Sequence, residues 1–225
     1  MKRKTNIYGI LYSELYSLCL FLLVPVFLYL VDMLFALLIA GDRRLSLVEL
    51  WCLFGLLGDY MVFNDLFHRC KKGAMPVCGL LQSSYSGKKL LLKGILADAL
   101  RRFLQLVVLT VIALWLNRYT AVYSGETAFT AKTAVILVLA VYLGNTLFLN
   151  VLRYIHTFGI YWIGAILCST IWELLMAIVF AWLDIYPEYM AGTGVVLLVL
   201  GILATAISCW HMSRRYDAYF GKGEK

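Results

Sequence analysis

The chain has 225 residues, of which 63% are hydrophobic and 15% charged, and its formal net charge is +7. A soluble domain carries nearer a quarter charged residues, so this composition excludes an ordinary water-soluble enzyme or nucleic-acid-binding domain. The apolar residues fall in runs of about 20, the length of helix that crosses a hydrocarbon core of roughly 30 Å. The expectation is an all-α integral membrane protein, multi-pass in the cell membrane.

In chain order, the basic MKRK start precedes Asn6–Leu18, in which Ile7, Ile10, Leu11, Leu15 and Leu18 fall on one helical face. Residues 6–18 read as an amphipathic helix on the inner membrane surface, or as the start of the first span, since Glu14 interrupts the apolar face. No small-x-small cleavage site follows, so the first apolar run reads as a retained span and not as a signal peptide. Six spans are expected, over Tyr16–Ala40, Leu45–Phe67, Gly94–Leu116, Thr133–Leu152, Ile160–Leu183 and Thr193–Met212. Pro25 is placed to kink the first. A loop from Asn117 to Lys132 joins spans three and four, and the short acidic turn LDIYPEYMAG joins five and six. Residues 1–225 read as a single membrane domain.

The basic residues set the orientation. The N-terminal segment holds three Lys and Arg, residues 68–102 hold eight, the loop after span four holds Arg153, and the tail from Arg214 holds four. The other side holds Arg43, Arg44, Arg118 and Lys132. The positive-inside rule therefore places both termini and the segment 68–92 in the cytoplasm. Of the six cysteines, Cys19, Cys52, Cys168 and Cys209 lie in apolar runs, where cysteine acts as a small hydrophobe. That usage argues against an extracellular disulfide framework.

Motifs for chemistry are lacking. His68, Cys70 and Cys78 form H-x-C-x7-C, without the close cysteine pair of common zinc sites, so no metal site is expected. Gly87-Lys88-Lys89 is followed by Leu90, which has no hydroxyl for magnesium, so the chain has no Walker A loop. No G-x-S-x-G elbow or H-E-x-x-H helix occurs. What remains is a set of carboxylates in apolar runs: Asp32, Asp59 and Glu173, the last beside Trp172. An ionised carboxylate near the bilayer centre costs on the order of 3 kcal/mol or more, so each should face protein or a wet cavity. They read either as a translocation path, with Trp172, or as buried groups that fix packing. Asp59 has Gly55 and Gly58 beside it, which allow close helix approach. Asn145 reads as a packing contact or a pathway group. Asp98 can reach Arg101 or Arg102 one turn on.

The segment FHRCKKGAMPVCGLLQSSYSGKKLL is longer and more charged than a connection needs. Pro76 suits the first turn of a short helix, and Val77, Cys78, Leu80 and Leu81 give that helix an apolar side. Ser86 suits the N-cap of the helix that follows. An apolar side between two basic borders needs a covering partner, either protein or membrane surface.

With Gly73, Pro76, Leu80, Leu81, Ser86, Lys88, Lys89 and Lys93 in this order, and a SRRYDAY tail, the chain resembles the permease subunits of type-2 ATP-binding cassette exporters. The resemblance implies that the short cytoplasmic helix is a coupling helix seated on a separate ATPase subunit. On that reading Lys71, Lys72, Met75, Pro76, Val77, Leu80, Leu81 and Tyr85 meet the ATPase, which holds Mg-ATP; this chain would hold no cofactor. Two permeases, identical or related, would pair with two ATPases, and spans one, two and five would line the route, where Asp32, Asp59 and Glu173 lie. The expected function is export of a peptide, drug-like or lipid-like substrate by a subunit that is not itself an enzyme, with lipid and no nucleic acid as further partners. Two other readings are a six-span substrate-capture subunit or ion-coupled carrier, and an intramembrane enzyme.

Overall fold

A computed structural model describes residues 48–60, 87–124, 130–155 and 157–214. These residues form five α-helices and one 3-10 turn. They are α1 (48–60), α2 (Gly87–Ser124), α3 (Ala131–Leu152), α4 (Phe158–Ile185), the turn Pro187–Tyr189, and α5 (Met190–Arg214). No strand occurs among the described residues. The first span, the 6–18 segment, Asp32, the coupling residues Lys71, Lys72, Met75, Pro76, Val77, Leu80, Leu81 and Tyr85, and the tail beyond Arg214 lie outside them.

Among the described residues three helices are long and apolar enough to cross a membrane: α3, α4, and the 3-10 turn with α5. They fit a membrane protein. They correspond to the expected fourth, fifth and sixth spans, each extended by two or three residues at one or both ends. The acidic connection between the expected fifth and sixth spans becomes the Pro187–Tyr189 turn, with Pro187 in its first position. Around it, Trp182 and Tyr189 pack with ring centroids 5.2 Å apart.

The expected third span differs most. α2 has 38 residues and not the 23 of Gly94–Leu116. At 1.5 Å per residue it is about 57 Å long, well over a hydrocarbon core of roughly 30 Å. Hydropathy detects only the part of a helix that needs lipid. Its polar extensions are set by local propensity, and the lysines and arginines of the first four turns are good helix formers. At the far end α2 takes in Asn117–Ser124, which the sequence reading assigned to a loop. Thr130 then caps α3. Its hydroxyl oxygen accepts from the Thr133 backbone N–H at 3.2 Å, which satisfies one of the free donors of the first turn.

α3 is the centre of the bundle. Within its most apolar stretch 67% of residues are buried, against 28% for α4 and 17% for the α5 segment. Its neighbours grip it on several sides. Tyr142 Oη and Thr205 Oγ1 hydrogen-bond at 2.9 Å, linking it to α5, where Gly201 lets the Tyr142 ring lie close. On the α4 side the Trp172 indole N–H donates to Ala140 O at 3.0 Å, and the indole occupies the space that a Gly144 side chain would need. On the α1 side the Asn145 amide fills the corresponding space at Gly55. Phe103 of α2 meets Tyr142 edge-on at 5.7 Å. Glycine thus works here through close helix approach, as small residues do between membrane helices. The outward faces of α4 and α5, such as Ile163, Ile171, Ile178, Val195 and Ile202, are exposed and apolar.

Candidate functional site

The charged residues that the fold brings together lie where α3 ends. α3 stops at Leu152, and Arg153 is its C-cap, with its backbone N–H turned back to Leu149 O at 3.3 Å. Tyr154 N–H and Ile155 N–H then bond to Val151 O and Leu152 O, which tightens the last turn. A cation at this position meets the negative end of the helix dipole. Its side chain does not snorkel outward, however. The Arg153 guanidinium is turned into the bundle and is 1% exposed.

There it joins three helices. Arg153 Nε donates to both oxygens of Asp59 on α1, at 3.2 and 3.1 Å, and its Nη2 bonds Asp59 Oδ1 as well. The same Nη2 reaches Asp98 Oδ2 on α2 at 3.3 Å. Asp98, fully buried, also receives Arg101 through Nη2 at 2.8 Å and Nε at 3.0 Å, and Arg102 Nε lies 3.1 Å from its second oxygen. Arg101 is fixed in turn by Gln105, whose Oε1 accepts from Nη1 at 3.0 Å. The contacts of Asp98 with Arg101 and Arg102 follow the spacing that the sequence shows. Arg153 had no such signal, because a partner 55 or 94 residues away leaves no trace in local periodicity.

A network of this kind contributes little net stability over a well-packed apolar core, because desolvation offsets most of the attraction. Its effect is on arrangement. Removing one partner leaves a charge buried without compensation, so α1, α2 and α3 are held in one relative placement at this level. Asp59 lies on α1 and Asp98 eleven residues inside α2, the two helices that flank the undescribed residues 61–86 in sequence. Arg153 therefore ties both of these helices to the end of α3.

Of the residues assigned to a translocation path, the three described ones, Asp59, Trp172 and Glu173, are not brought to one place. Asp59 sits in the ionic network. Trp172 turns into the core, against α3 and edge-on to Phe148 at 5.9 Å. Glu173 is next to it in sequence but about 100° round the helix, and its carboxyl is near enough to that of Glu49 on α1 for the two to interact electrostatically. Thr170, one turn earlier on α4, donates to Glu49 Oε1 at 3.1 Å. Glu49 and Asp59 are ten residues apart on α1, about 15 Å at 1.5 Å per residue, so the carboxylates form two separate polar sites. Glu49 was not among the expected site residues.

A third contact of α1 with α4 lies between these two sites: Tyr161 Oη donates to the Leu56 carbonyl at 2.7 Å, and its ring meets that of Tyr60 at 4.5 Å with the planes tilted by 48°. Beyond the ionic network, Tyr154 Oη meets His211 Nδ1 of α5 at 3.2 Å. Among the described residues no group of three His, Cys, Asp or Glu is placed to hold a metal ion. No protein-family model, curated protein or solved structure matches this chain.

Proposed function

We propose that this chain is the membrane-spanning subunit of an ATP-binding cassette exporter, powered by ATP hydrolysed in a separate subunit. In this reading the chain crosses the membrane six times, with both termini and the segment 68–92 in the cytoplasm. The observation that carries the proposal is the Arg153 tie. The segment read as a coupling element lies in sequence between two helices that are fixed, through Asp59 and Asp98, to the end of a central, buried helix. A push on such a segment is delivered to α1, α2 and α3 together and is not absorbed by a slack loop. The resemblance in residues 73–93 and the absence of a Walker A loop in the sequence favour the same division of labour.

Two permeases, this chain with a second copy of itself or a related chain, and two ATPases make up the working assembly. The substrate is a peptide, drug-like or lipid-like molecule, and the Glu49–Glu173 site favours one with a cationic group. The test is functional. Leu80→Asp, and Pro76→Ala in parallel, should abolish ATP-driven transport and release the ATPase while leaving the chain folded in the membrane. Full activity in both variants would sink the proposal.

One observation favours a second reading, an ion-coupled carrier. Glu49 and Glu173 repel each other unless a proton or another cation sits between them, which suits ion binding. Transport that follows an ion gradient and continues without ATP would select that reading.

A further inference from the structure

No step proposed above uses a thiol, yet two cysteines meet in the seam between α1 and α4. The two helices run antiparallel there. Tyr161 bonds to Leu56, while Thr170, further along α4, bonds to Glu49, further back along α1. Cys52 is three residues from Glu49 and four from Leu56, so it shares their face of α1. Cys168 is seven residues, or two helical turns, from Tyr161 and shares its face of α4. Counted from the Thr170–Glu49 contact at 1.5 Å per residue, the two cysteines differ in height by about 1.5 Å. Counted from the Tyr161–Leu56 contact, they differ by about 4.5 Å, still less than one turn. The two thiols are near enough to interact electrostatically, and both are free. We propose that Cys52 and Cys168 are a redox pair that closes into a disulfide and pins α4 to α1.

Unequal access assigns the order of the steps. Cys52 is 0% exposed, whereas Cys168 is only half-buried and meets an oxidant first. That oxidant is a hydroperoxide. The Cys168 sulfur bonds to its outer oxygen as the O–O bond breaks, which leaves a sulfenic acid and releases an alcohol, or water from hydrogen peroxide. The Cys52 sulfur then attacks the Cys168 sulfur. The S–S bond forms, the S–O bond breaks, and the departing hydroxide leaves as water with the Cys52 proton. Two thiols and one hydroperoxide thus give one disulfide, one alcohol and one water, and Cys52 needs no access of its own. The bond falls where it has an effect. α4 keeps an apolar face outward and meets α1 through side-chain hydrogen bonds and ring contacts, while α1 is tied to α3 through Asp59. A covalent link stops α4 from sliding along α1 until a reductant removes it. This inference does not rest on the transport reading.

The test uses the full chain, purified reduced in a mild detergent and treated with tert-butyl hydroperoxide. Peptide mapping by mass spectrometry then identifies each cysteine pair. The expected result is a Cys52–Cys168 peptide from at least half of the chains, lost again on addition of dithiothreitol. Its yield should fall at least ten-fold when the chain is unfolded before oxidation. In Cys52→Ser, Cys168 should stop at the sulfenic acid, which dimedone traps. A wild-type chain in which Cys168 stays reduced, or pairs with a different cysteine, overturns the inference whether or not Cys52→Ser folds. Equal yield from the folded and the unfolded chain also overturns it, because chance encounter would then account for the pairing.

Discussion

Arg153 decides more than any other single residue, because two buried carboxylates depend on it. Arg153→Ala should destabilise the chain by about 3–5 kcal/mol, the usual cost of leaving a buried charge unpaired. The double change Arg153→Met with Asp59→Leu should recover most of that loss, because apolar groups of similar volume pack as well as a buried ion pair. Thermal unfolding of the purified chain in detergent checks both. A double variant no more stable than Arg153→Ala alone would show that Asp59 is not its main dependent. The glycines give a second contrast. A methyl group at Gly55 would run into the Asn145 amide, whereas at Gly159 and Gly192 it meets nothing within 4 Å. Gly55→Ala should therefore cost about 1–3 kcal/mol from overpacking. Gly192→Ala, within a helix, should be neutral or stabilising by up to about 1 kcal/mol.

At the scale of the helix, α2 separates what hydropathy can tell from what it cannot. Apolar runs located α3, α4 and α5 to within a few residues, because burial in the bundle for α3 and broad exposed apolar faces for α4 and α5 both demand apolar residues along the helix. Both extensions of α2 were missed, since a helix leaving the membrane is held by propensity and ion pairs and carries no apolar signal. The site was partly legible. Asp98 with Arg101 and Arg102 could be read from i, i+3 and i, i+4 spacing, whereas the tie to Arg153 and the meeting of Glu49 with Glu173 depend on which helices become neighbours. That choice is written in Gly55, Gly144 and Gly201, and one sequence does not say which partner each glycine admits. The long α2 makes its own prediction. Cysteine placed at Lys89 should react readily with a water-soluble maleimide, and cysteine at Val108, five turns further along the helix, should be at least ten-fold slower. Equal rates would mean that the polar end of α2 lies in the membrane.

For the molecule as a whole, burial is uneven in an informative way. α3 is enclosed, whereas α4 and α5 keep broad apolar faces outward. Polar groups are gathered at two levels: the ionic network where α3 ends, and the Glu49–Glu173 site about 15 Å further along α1. In the proposed exporter the first level is the cytoplasmic end, where force enters through the segment 68–92, and the second lies along the substrate route. Glu173→Gln should then lower transport of a cationic substrate at least ten-fold while leaving basal ATP hydrolysis by the partner within two-fold of wild type. A fall in hydrolysis equal to the fall in transport would place Glu173 in assembly and not in the route.

The central claim is that the energy-converting chemistry resides in another protein that grips this one. It is tested most directly by isolating the tagged full chain from its own membrane in mild detergent and weighing the assembly. The account predicts two permeases, this chain with a second copy of itself or a related chain, joined to two copies of an ATP-hydrolysing subunit, with the ATPase lost in Leu80→Asp. A chain that elutes without any nucleotide-hydrolysing protein, from membranes in which its transport is intact, would contradict it.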